Sequence, residues 1–555
     1  MKLKKVFLII AAAAAAAACI SGCNQSKEKA DGNENVTLRF LDCWQGESAI
    51  SPSDLTNNAV AKVIREKTGV TLNPEFITTS EIEKLNVLFA SGDMPDLISA
   101  PFWGGADATT MLIKRSAKEG LLMSLDELVE EYGPNVKPAM EGVAATKDLK
   151  EFDLEDPDFE GKHYLLLAQA KMIESPEDVA NDAKTLYIRK DIYDSLNVDP
   201  EKIKTSDDIY ELLKKIKAGN FKDVNGRDII PAGSWHSGYL LGLLYTSYID
   251  SVDNITNYGL SDGKVVEDTF EPLTEKRILF MRKLISEGLL DVEAISQNSA
   301  RATEKLSTGS VGIIGSRYNQ LKDTLSNTLY ITNPEMKYIP LPYLQDAKGR
   351  TGFISLKGTS GASVLMIPKT TKNPEAVIKA LNFINSEEGV KLISYGIEGE
   401  HYNMVDGKPR LTQEWLEKYK SDTKNLSKEG IRSIYDRLLL LNKRLKEYGE
   451  SLPGQADEVD EDFEYAKSLC PFGGFVDGIR VNYFENSYPD IDKVKSLRSS
   501  SKVNDTINKA YFQESDEAAL QVIRGLKEQM YKDGEIEKLL DYLTEQTKDR
   551  DDILY

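Results

Sequence analysis

Residues 68–98 read TGVTLNPEFITTSEIEKLNVLFASGDMPDLI. Residues 70–77 alternate apolar and polar side chains and contain β-branched residues, which is typical of a strand. Residues 80–90 repeat apolar side chains at helical spacing, and Ser80 stands where a helix N-cap is expected. Leu97 and Ile98 then form a short apolar run after Pro95-Asp96, which predicts a buried strand. The stretch therefore predicts a strand, a helix and a second strand.

The same pattern extends upstream. Residues 36–41 predict a first strand, and residues 57–68 predict a helix that ends at Gly69. The order strand, helix, strand, helix, strand predicts an α/β lobe with a largely parallel sheet.

A second set of elements follows further along the chain. Strands are predicted at residues 184–189, 310–315 and 361–368, and helices at residues 206–217, 273–287 and 374–393. Most of the remainder, to Tyr555, predicts helices with polar loops. Because residues 23–555 are too many for one hydrophobic core, we expect two or more lobes.

The N-terminus reads MKLKKVFLIIAAAAAAAACISGC, with lysines first, an apolar run over residues 6–20 and then Ser21-Gly22-Cys23. This is the pattern of a secretion signal. The apolar run is shorter than the roughly 18–20 residues that span a bilayer. An uncleaved anchor helix and ordinary cleavage without a lipid are the alternatives. The last four residues resemble a bacterial lipobox, which implies cleavage of a signal peptide over residues 1–22 and lipidation of Cys23.

Residues 23–35 are polar and predict a flexible spacer. The formal charge of −20 becomes −23 without residues 1–22, which carry three lysines and no acidic residue. Such a polyanion is a poor nucleic-acid binder, and an anionic membrane surface repels it, so a covalent lipid is a sensible tether. Cys43 and Cys470 are the cysteines left beyond the signal region. We expect two separate buried thiols, with a disulfide as the alternative.

Five stretches carry a resemblance to a known family: ASGDMPDL (90–97), KTLYIRKDIYDSLNV (184–198), STGSVGIIGSRYNQ (307–320), IPKTTKNPEAVIKALNFINSEEG (367–389) and YGIEGEHYNM (395–404). In this order behind a lipobox they resemble the family 1 extracellular solute-binding proteins of ABC importers. The resemblance is to the sugar- and oligosaccharide-binding lipoproteins, and within them to the aldouronate-type branch.

This resemblance implies a two-lobed α/β fold of the periplasmic-binding-protein type (type II), with hinge crossovers and a ligand cleft. By analogy, the first lobe comprises residues 36–160 plus 336–400, and the second comprises residues 161–335 plus 401–555. Contacts of the ligand with both lobes would favour closure by a hinge motion.

A carbohydrate offers C–H faces to aromatic rings and hydroxyl groups to carboxylates, amides and arginine. Trp44, Trp103 and Trp235 stand in loops beside small residues, and His236 follows the last of them. We expect these four side chains to bind the ligand at strand ends, as ligands bind in open α/β sheets. Burial in the core is the alternative for each ring.

Four further candidates come from the family motifs. Arg317 and Tyr318 follow the predicted strand 310–315, where the resemblance implies ligand contact. Glu398 and Tyr402 flank Gly399 in the last shared motif and are expected to contact or order the cleft. Structural capping is the alternative for Arg317 and Tyr318.

Residues 221–231, FKDVNGRDIIP, resemble a calcium-binding loop of some relatives, but the loop is about two residues short and its final glutamate is absent. We expect a plain turn at Asn225-Gly226, no metal and no cofactor. Asp93 and Asp96 have the acidic character of a glycosidase pair, but their spacing fits a turn equally well, and we expect no catalytic residue.

The sequence therefore predicts a monomeric receptor, anchored by lipid on the extracellular face of the cell membrane. It captures an oligosaccharide and delivers it to the permease subunits of an ABC importer. The alternatives are a surface carbohydrate-active enzyme and a peptide-binding or adhesin lipoprotein.

Overall fold

The computed structural model describes residues 35–44, 52–105, 107–170, 172–179, 181–250, 258–267, 272–359, 362–422, 424–441, 460–498 and 500–555. The predicted signal peptide, the predicted lipidation site Cys23 and the part of the predicted spacer up to residue 34 lie outside the described residues.

The strands are β1 Val36–Asp42, β2 Val70–Phe76, β3 Leu97–Phe102, β4 Leu166–Ala168, β5 Thr185–Arg189, β6 Ile230–Gly233, β7 Tyr258–Ser261, β8 Lys264–Glu267, β9 Val311–Ser316, β10 Tyr338–Pro340, β11 Phe353–Leu356, β12 Ala362–Met366, β13 Tyr402–Val405, β14 Lys408–Leu411, β15 Phe472–Val476, β16 Ile479–Arg480 and β17 Ile553–Leu554.

The α-helices are α1 Pro52–Asn57, α2 Ala59–Thr68, α3 Glu81–Ser91, α4 Ala108–Lys118, α5 Asp126–Tyr132, α6 Lys137–Met140, α7 Lys147–Leu149, α8 Lys190–Ser195, α9 Ser206–Ala218, α10 Pro272–Ser286, α11 Ser299–Ser307, α12 Tyr318–Leu325, α13 Leu329–Thr332, α14 Pro374–Ile384, α15 Glu387–Tyr395, α16 Gln413–Ser421, α17 Lys424–Lys428, α18 Glu461–Ser468, α19 Ile491–Arg498, α20 Ser500–Tyr511, α21 Asp516–Asp533 and α22 Ile536–Thr547.

The first sheet has the order β2-β1-β3-β12-β4. β1 pairs in parallel with β2 and β3, as the alternation of strands and helices predicts, whereas β12 is antiparallel to both of its neighbours. Every residue of β3 is buried, because helices cover the sheet on both faces. Ser80 caps α3 by accepting a hydrogen bond from the backbone N–H of Glu83, and Gly92 ends the helix with φ +73°.

The second sheet has the order β10-β5-β9-β6. β9 is parallel to β6 and antiparallel to β5, which in turn is antiparallel to β10. The large core around this sheet also takes buried residues from the C-terminal helices, including Ile523 and Leu539. The two sheets and their separate cores confirm the two-lobed α/β class.

The chain passes between the two sheets at one edge of each. The ends of β1, β3 and β4 lie at the same edge of the first sheet as the start of β12. The ends of β9 and β10 lie at the same edge of the second sheet as the start of β5. One passage runs from β4 to β5 and another from β10 to β12. A third leaves the first core after Leu441, and the chain is described again at Asp460 beside α12.

The structure moves the lobe boundaries predicted from the sequence. Residues 166–168 belong to the first sheet rather than the second lobe, because β4 buries all three side chains against β12. Residues 338–340 belong to the second sheet, because β10 pairs with β5. Trp415 and Tyr435 pack in the first core, so residues 402–441 lie with the first lobe.

The helix predicted over residues 374–393 is two helices, α14 and α15. The Ser386 side chain accepts a hydrogen bond from the backbone N–H of Gly389 and thereby starts a new helix. Asn385 stabilises the break between the two helices. Its side-chain amide N–H donates to the Leu438 carbonyl, and its side-chain oxygen accepts from the Leu440 N–H. Among the described residues, no helix has the length and apolar character needed to span a bilayer.

Candidate functional site

Two tryptophan rings meet at the edge of the first sheet. Trp44 follows β1 and Trp103 follows β3, and their ring centres are 5.7 Å apart with the planes at 75°. The Trp44 indole N–H donates to Ser363 Oγ over 2.9 Å, which fixes the orientation of that ring. The Trp103 side chain is 50% exposed. At this edge the exposed Trp103 ring therefore contacts the Trp44 ring, whose orientation is fixed by its hydrogen bond.

Arg437 completes this group. Its guanidinium carbon lies 5.1 Å from the centre of the Trp44 ring, which is a cation–π distance. Nη1 donates to the Gln169 side-chain oxygen over 3.1 Å, and Nε lies 3.5 Å from Asp42 Oδ2. Burial raises the pKa of Asp42, and the charge of Arg437 opposes that rise. We call Trp44, Trp103, Arg437 and Gln169 the first wall.

A second group lies at the edge of the second sheet. The rings of His236 and Tyr239 are stacked, with centres 5.7 Å apart and planes at 3°. The Arg317 guanidinium lies 6.0 Å from the centre of the Tyr239 ring, and its Nε is 3.0 Å from Asp182 Oδ2. We call His236, Tyr239, Arg317 and Asp182 the second wall.

The loop that carries His236 and Tyr239 has an unusual backbone. Ser237 and Leu240 adopt φ of +48° and +63°, which side-chain-bearing residues rarely do. Hydrogen bonds hold the loop in this conformation. The Ser234 hydroxyl donates to the Tyr239 carbonyl over 2.9 Å, and the Gln297 amide donates to the Ser234 carbonyl over 2.7 Å. Backbone strain that the surroundings stabilise in this way is common at ligand sites.

Both walls lie at the edges where the chain passes between the sheets. Gln169 of the first wall follows β4 directly, and Asp182 of the second wall stands just before β5. The two residues therefore mark the ends of one passage. Each wall also stands where parallel strands of its own sheet end, which is where ligands bind in open α/β sheets.

Two predicted site residues lie elsewhere. Trp235 is only 4% exposed and packs in the core that α11 and α12 form with the second sheet, and its indole N–H donates to Ser316 Oγ over 3.2 Å. Tyr318 is buried, and its hydroxyl donates to Asp460 Oδ1 over 2.8 Å. In this structure both rings are therefore core residues, because neighbouring elements cover them.

Glu398 and Tyr402 are also apart from the walls. They line a cavity of about 590 Å³ beside α2 and α15, and no residue of either wall lines it. Tyr402 is buried with its ring centre 5.8 Å from that of Tyr395. Of the predicted ligand-binding residues, the structure brings Trp44 and Trp103 together on one wall, and His236 and Arg317 on the other.

The walls contain four residues that the sequence did not single out. Tyr239 stands three residues after His236, directly after Gly238. An aromatic residue beside this glycine-bounded loop is a local signal by which the sequence could have indicated Tyr239 as a site residue. Arg437, Gln169 and Asp182 have no such local signal. Arg437 is close to Trp44 only because the fold brings together segments that are far apart in the chain.

In the loop at Asp223, the side chain of Arg227 pairs with the Asp223 carboxylate, and we call this the arginine-closed loop. Asp223 Oδ1 accepts the backbone N–H groups of Asn225 and Arg227 over 2.8 and 2.9 Å, and the Arg227 Nε lies 3.1 Å from Oδ2. Burial alone would raise the pKa of Asp223, but these hydrogen bonds and the guanidinium lower it overall. In the part of the chain that the structure describes, no group of three or more His, Cys, Asp or Glu side chains could hold a metal ion.

Cys43 and Cys470 are both free and buried, which confirms two separate thiols. Cys43 packs in the core of the first sheet, whereas the Cys470 thiol lies 3.3 Å from the Lys184 carbonyl beside the second.

Comparison with known proteins gives a consistent result. The model of the bacterial extracellular solute-binding protein family matches residues 53–391. The lipoprotein LipO of Bacillus subtilis is 25% identical over 407 residues, which cover 70% of this chain and 72% of LipO. The polygalacturonan/rhamnogalacturonan-binding protein YtcQ of the same organism is 22% identical over 468 residues, covering 83% and 84% of the two chains.

Among solved structures, the ABC-transporter substrate-binding protein FusA of Streptococcus pneumoniae in complex with kestose superposes with a TM-score of 0.60. The superposition covers 93% of this chain and 99% of FusA at 19% sequence identity. At this identity the likeness concerns the fold.

Proposed function

Because this chain belongs to the bacterial extracellular solute-binding protein family, we propose that it is the substrate-binding component of an ABC importer. It captures an oligosaccharide between the first and second walls and delivers it to the permease subunits in the membrane. The names of the relatives support this ligand class, since YtcQ is a polygalacturonan/rhamnogalacturonan-binding protein and FusA was solved in complex with kestose.

The observation that carries the proposal is the composition of the two walls. Each combines aromatic rings with a guanidinium, and the first adds the amide of Gln169. Rings match the C–H faces of sugar units, and the polar groups match their hydroxyls. The passages between the sheets at these edges support a hinge, so a ligand that contacts both walls favours the closed state.

The proposal includes a lipid on Cys23 that holds the receptor on the outer face of the cell membrane. A lipoprotein among the relatives supports it, as does the sequence before Cys23. A receptor tethered near its permease gains a high effective concentration. The change Cys23→Ser should release the protein into the medium, and cells should no longer incorporate labelled fatty acid into it. Retention on the cells with unchanged labelling would reject the anchor.

Binding to a panel of oligosaccharides tests the main proposal. The mature protein should bind one of the fructo-, galacturono- or host-glycan oligosaccharides with 1:1 stoichiometry in calorimetry and leave it intact. The same ligand should raise the melting temperature and make the protein more compact in small-angle scattering. Turnover of the sugar would instead support a surface carbohydrate-active enzyme. Absence of binding to every sugar, together with binding of peptides, would support a peptide receptor.

A further inference from the structure

The exposed ring of the first wall stands on a turn of two glycines. Gly104 and Gly105 follow Trp103 with φ of +79° and +60°, a conformation that favours glycine. The Gly104 N–H donates to Thr110 Oγ1 over 3.1 Å, and the Gly105 N–H donates to Asp153 Oδ2 over 2.9 Å. Two hydrogen bonds from beneath therefore set the course of the backbone that carries the ring.

Asp153 is itself held firmly. Its side chain is fully buried, and Oδ1 lies 3.0 Å from the Lys114 ammonium, which also lies 2.8 Å from Asp156. Burial raises the pKa of Asp153, and Lys114 opposes that rise. A carboxylate in a buried ion pair cannot move away from its partner without a large electrostatic cost. The acceptor for the Gly105 N–H is thus a fixed point.

Tyr483 closes the turn from the other side. A Cβ added at Gly104 would lie 2.3 Å from the Tyr483 hydroxyl oxygen, so this oxygen packs directly against the turn. The hydroxyl accepts a hydrogen bond from Arg480 Nη2 over 3.0 Å, and Arg480 Nε donates to Asp148 over 2.5 Å. The tyrosine is buried and cannot rotate out of this position freely.

This contact joins the two lobes. Val481 and Phe484, two residues before and one residue after Tyr483, are part of the core of the second sheet. Asp148 and Asp153, in contrast, flank Leu149 and Leu154 of the first-sheet core. The Trp103 turn is therefore touched by a segment that is anchored in the other lobe.

We propose that Asp153 and Tyr483 are positioning residues for Trp103, which fix the angle of its ring against Trp44 for ligand binding. Tyr483 makes this angle depend on how the second lobe sits against the first. The inference rests on the proposed function only for the statement that Trp103 contacts the ligand. The ring angle itself can be measured without any ligand.

The test uses the mature protein with the changes Tyr483→Phe and Asp153→Asn. Two indoles 5.7 Å apart couple and give paired bands in the circular dichroism spectrum, whose size depends on the angle between the rings. Trp103→Phe, which abolishes the pair, identifies these bands. The control is Tyr210→Phe, which removes a hydroxyl that donates to Glu287 over 2.9 Å, and Tyr210 belongs to the core of the second sheet.

We expect Tyr483→Phe to change the paired bands of the unliganded protein and to weaken oligosaccharide binding about fivefold. The melting temperature of Tyr483→Phe should fall no more than that of Tyr210→Phe. The control Tyr210→Phe should leave both the paired bands and the affinity unchanged. Asp153→Asn should change the bands more strongly. A folded Tyr483→Phe protein with wild-type bands would overturn the inference, whatever its melting temperature. If the wild type binds no oligosaccharide, the proposed function fails while the bands still test the positioning.

Discussion

The Arg437 guanidinium carbon lies over the Trp44 ring, 5.1 Å from its centre, while Nη1 of the same side chain donates to the side-chain oxygen of Gln169. One side chain thus orients a ring, holds an amide and still carries further donors for ligand hydroxyls.

Arg437→Met should weaken oligosaccharide binding about tenfold, because it removes a charged donor and the cation that lies over the Trp44 ring. The affinity of Arg437→Lys should lie between those of the wild type and Arg437→Met, since lysine keeps the charge but not the planar guanidinium. The matched control is Arg301→Met, which removes an exposed arginine paired with Glu293 and Glu304. Calorimetry with the ligand found in the panel measures the effect. Equal affinities of Arg437→Met and the wild type would remove Arg437 from the site.

Loss of Arg437 should also change the dependence of stability on pH. Burial raises the folded-state pKa of Asp42, and Arg437 limits that rise. A carboxyl whose pKa is raised by folding stabilises the protein fully below its unfolded pKa of about 3.9, and this contribution is lost as pH rises through the folded pKa. Without Arg437 the folded pKa is higher, so more stability is lost between pH 4 and neutrality. Urea unfolding at several pH values should show a steeper loss for Arg437→Met than for Arg301→Met.

The tryptophans should separate into two classes. Trp44→Ala and Trp103→Ala should each weaken ligand binding about tenfold and cost little stability, because these rings serve the wall. Trp235→Ala should instead lower the free energy of unfolding by about 3–5 kcal/mol, because it opens a cavity in a packed core. Titration and chemical denaturation of the three variants measure both quantities. Unchanged affinity in both Trp44→Ala and Trp103→Ala would reject the first wall.

The elements around residues 68–98 and the tryptophans show what the sequence can and cannot predict. The strands and helices around residues 68–98 follow from local periodicity, so their places were predicted closely. Trp44 and Trp235 have the same local context, since each follows a strand beside small residues. Trp235 is covered because α11 and α12 pack on the second sheet around it, and these are tertiary contacts. Arg437 could not be foreseen either, because its partner Trp44 is almost four hundred positions away in the chain.

The charges of the walls predict a ligand without strong ionic contacts. Arg437 of the first wall lies close to the neighbouring Asp42, and Arg317 of the second wall pairs with Asp182, so the arginine of each wall already has an acidic partner. Binding of the preferred oligosaccharide should therefore change less than about twofold between low and physiological salt. Asp182→Asn leaves Arg317 without this counter-charge and should improve binding of galacturonate oligomers relative to kestose. Strong weakening of wild-type binding by salt would contradict this pairing of the wall arginines and indicate an acidic ligand.

Calcium should have no effect on stability. The Arg227 guanidinium already lies on the Asp223 carboxylate, where a cation would have to bind. The melting temperature should be the same with excess calcium and with a chelator. Because the pKa of Asp223 is lowered, the loop's contribution to stability is present above the unfolded pKa of about 3.9 and is lost as pH falls. Arg227→Gln should reduce that contribution, and a rise in melting temperature on adding calcium to the wild type would contradict the arginine-closed loop.

The two internal thiols should be unreactive in the native protein. Burial raises the pKa of both Cys43 and Cys470 to about 12, so at pH 8 only about one thiol in ten thousand is ionised. A thiol reagent added to the Cys23→Ser protein should therefore react with neither cysteine until denaturant unfolds the chain, and should then react with both. A reducing agent should leave the melting temperature unchanged, because no bond joins the two residues. If one cysteine reacts quickly in the folded protein, its part of the core opens on the timescale of the reaction, and that opening would have to be faster than global unfolding.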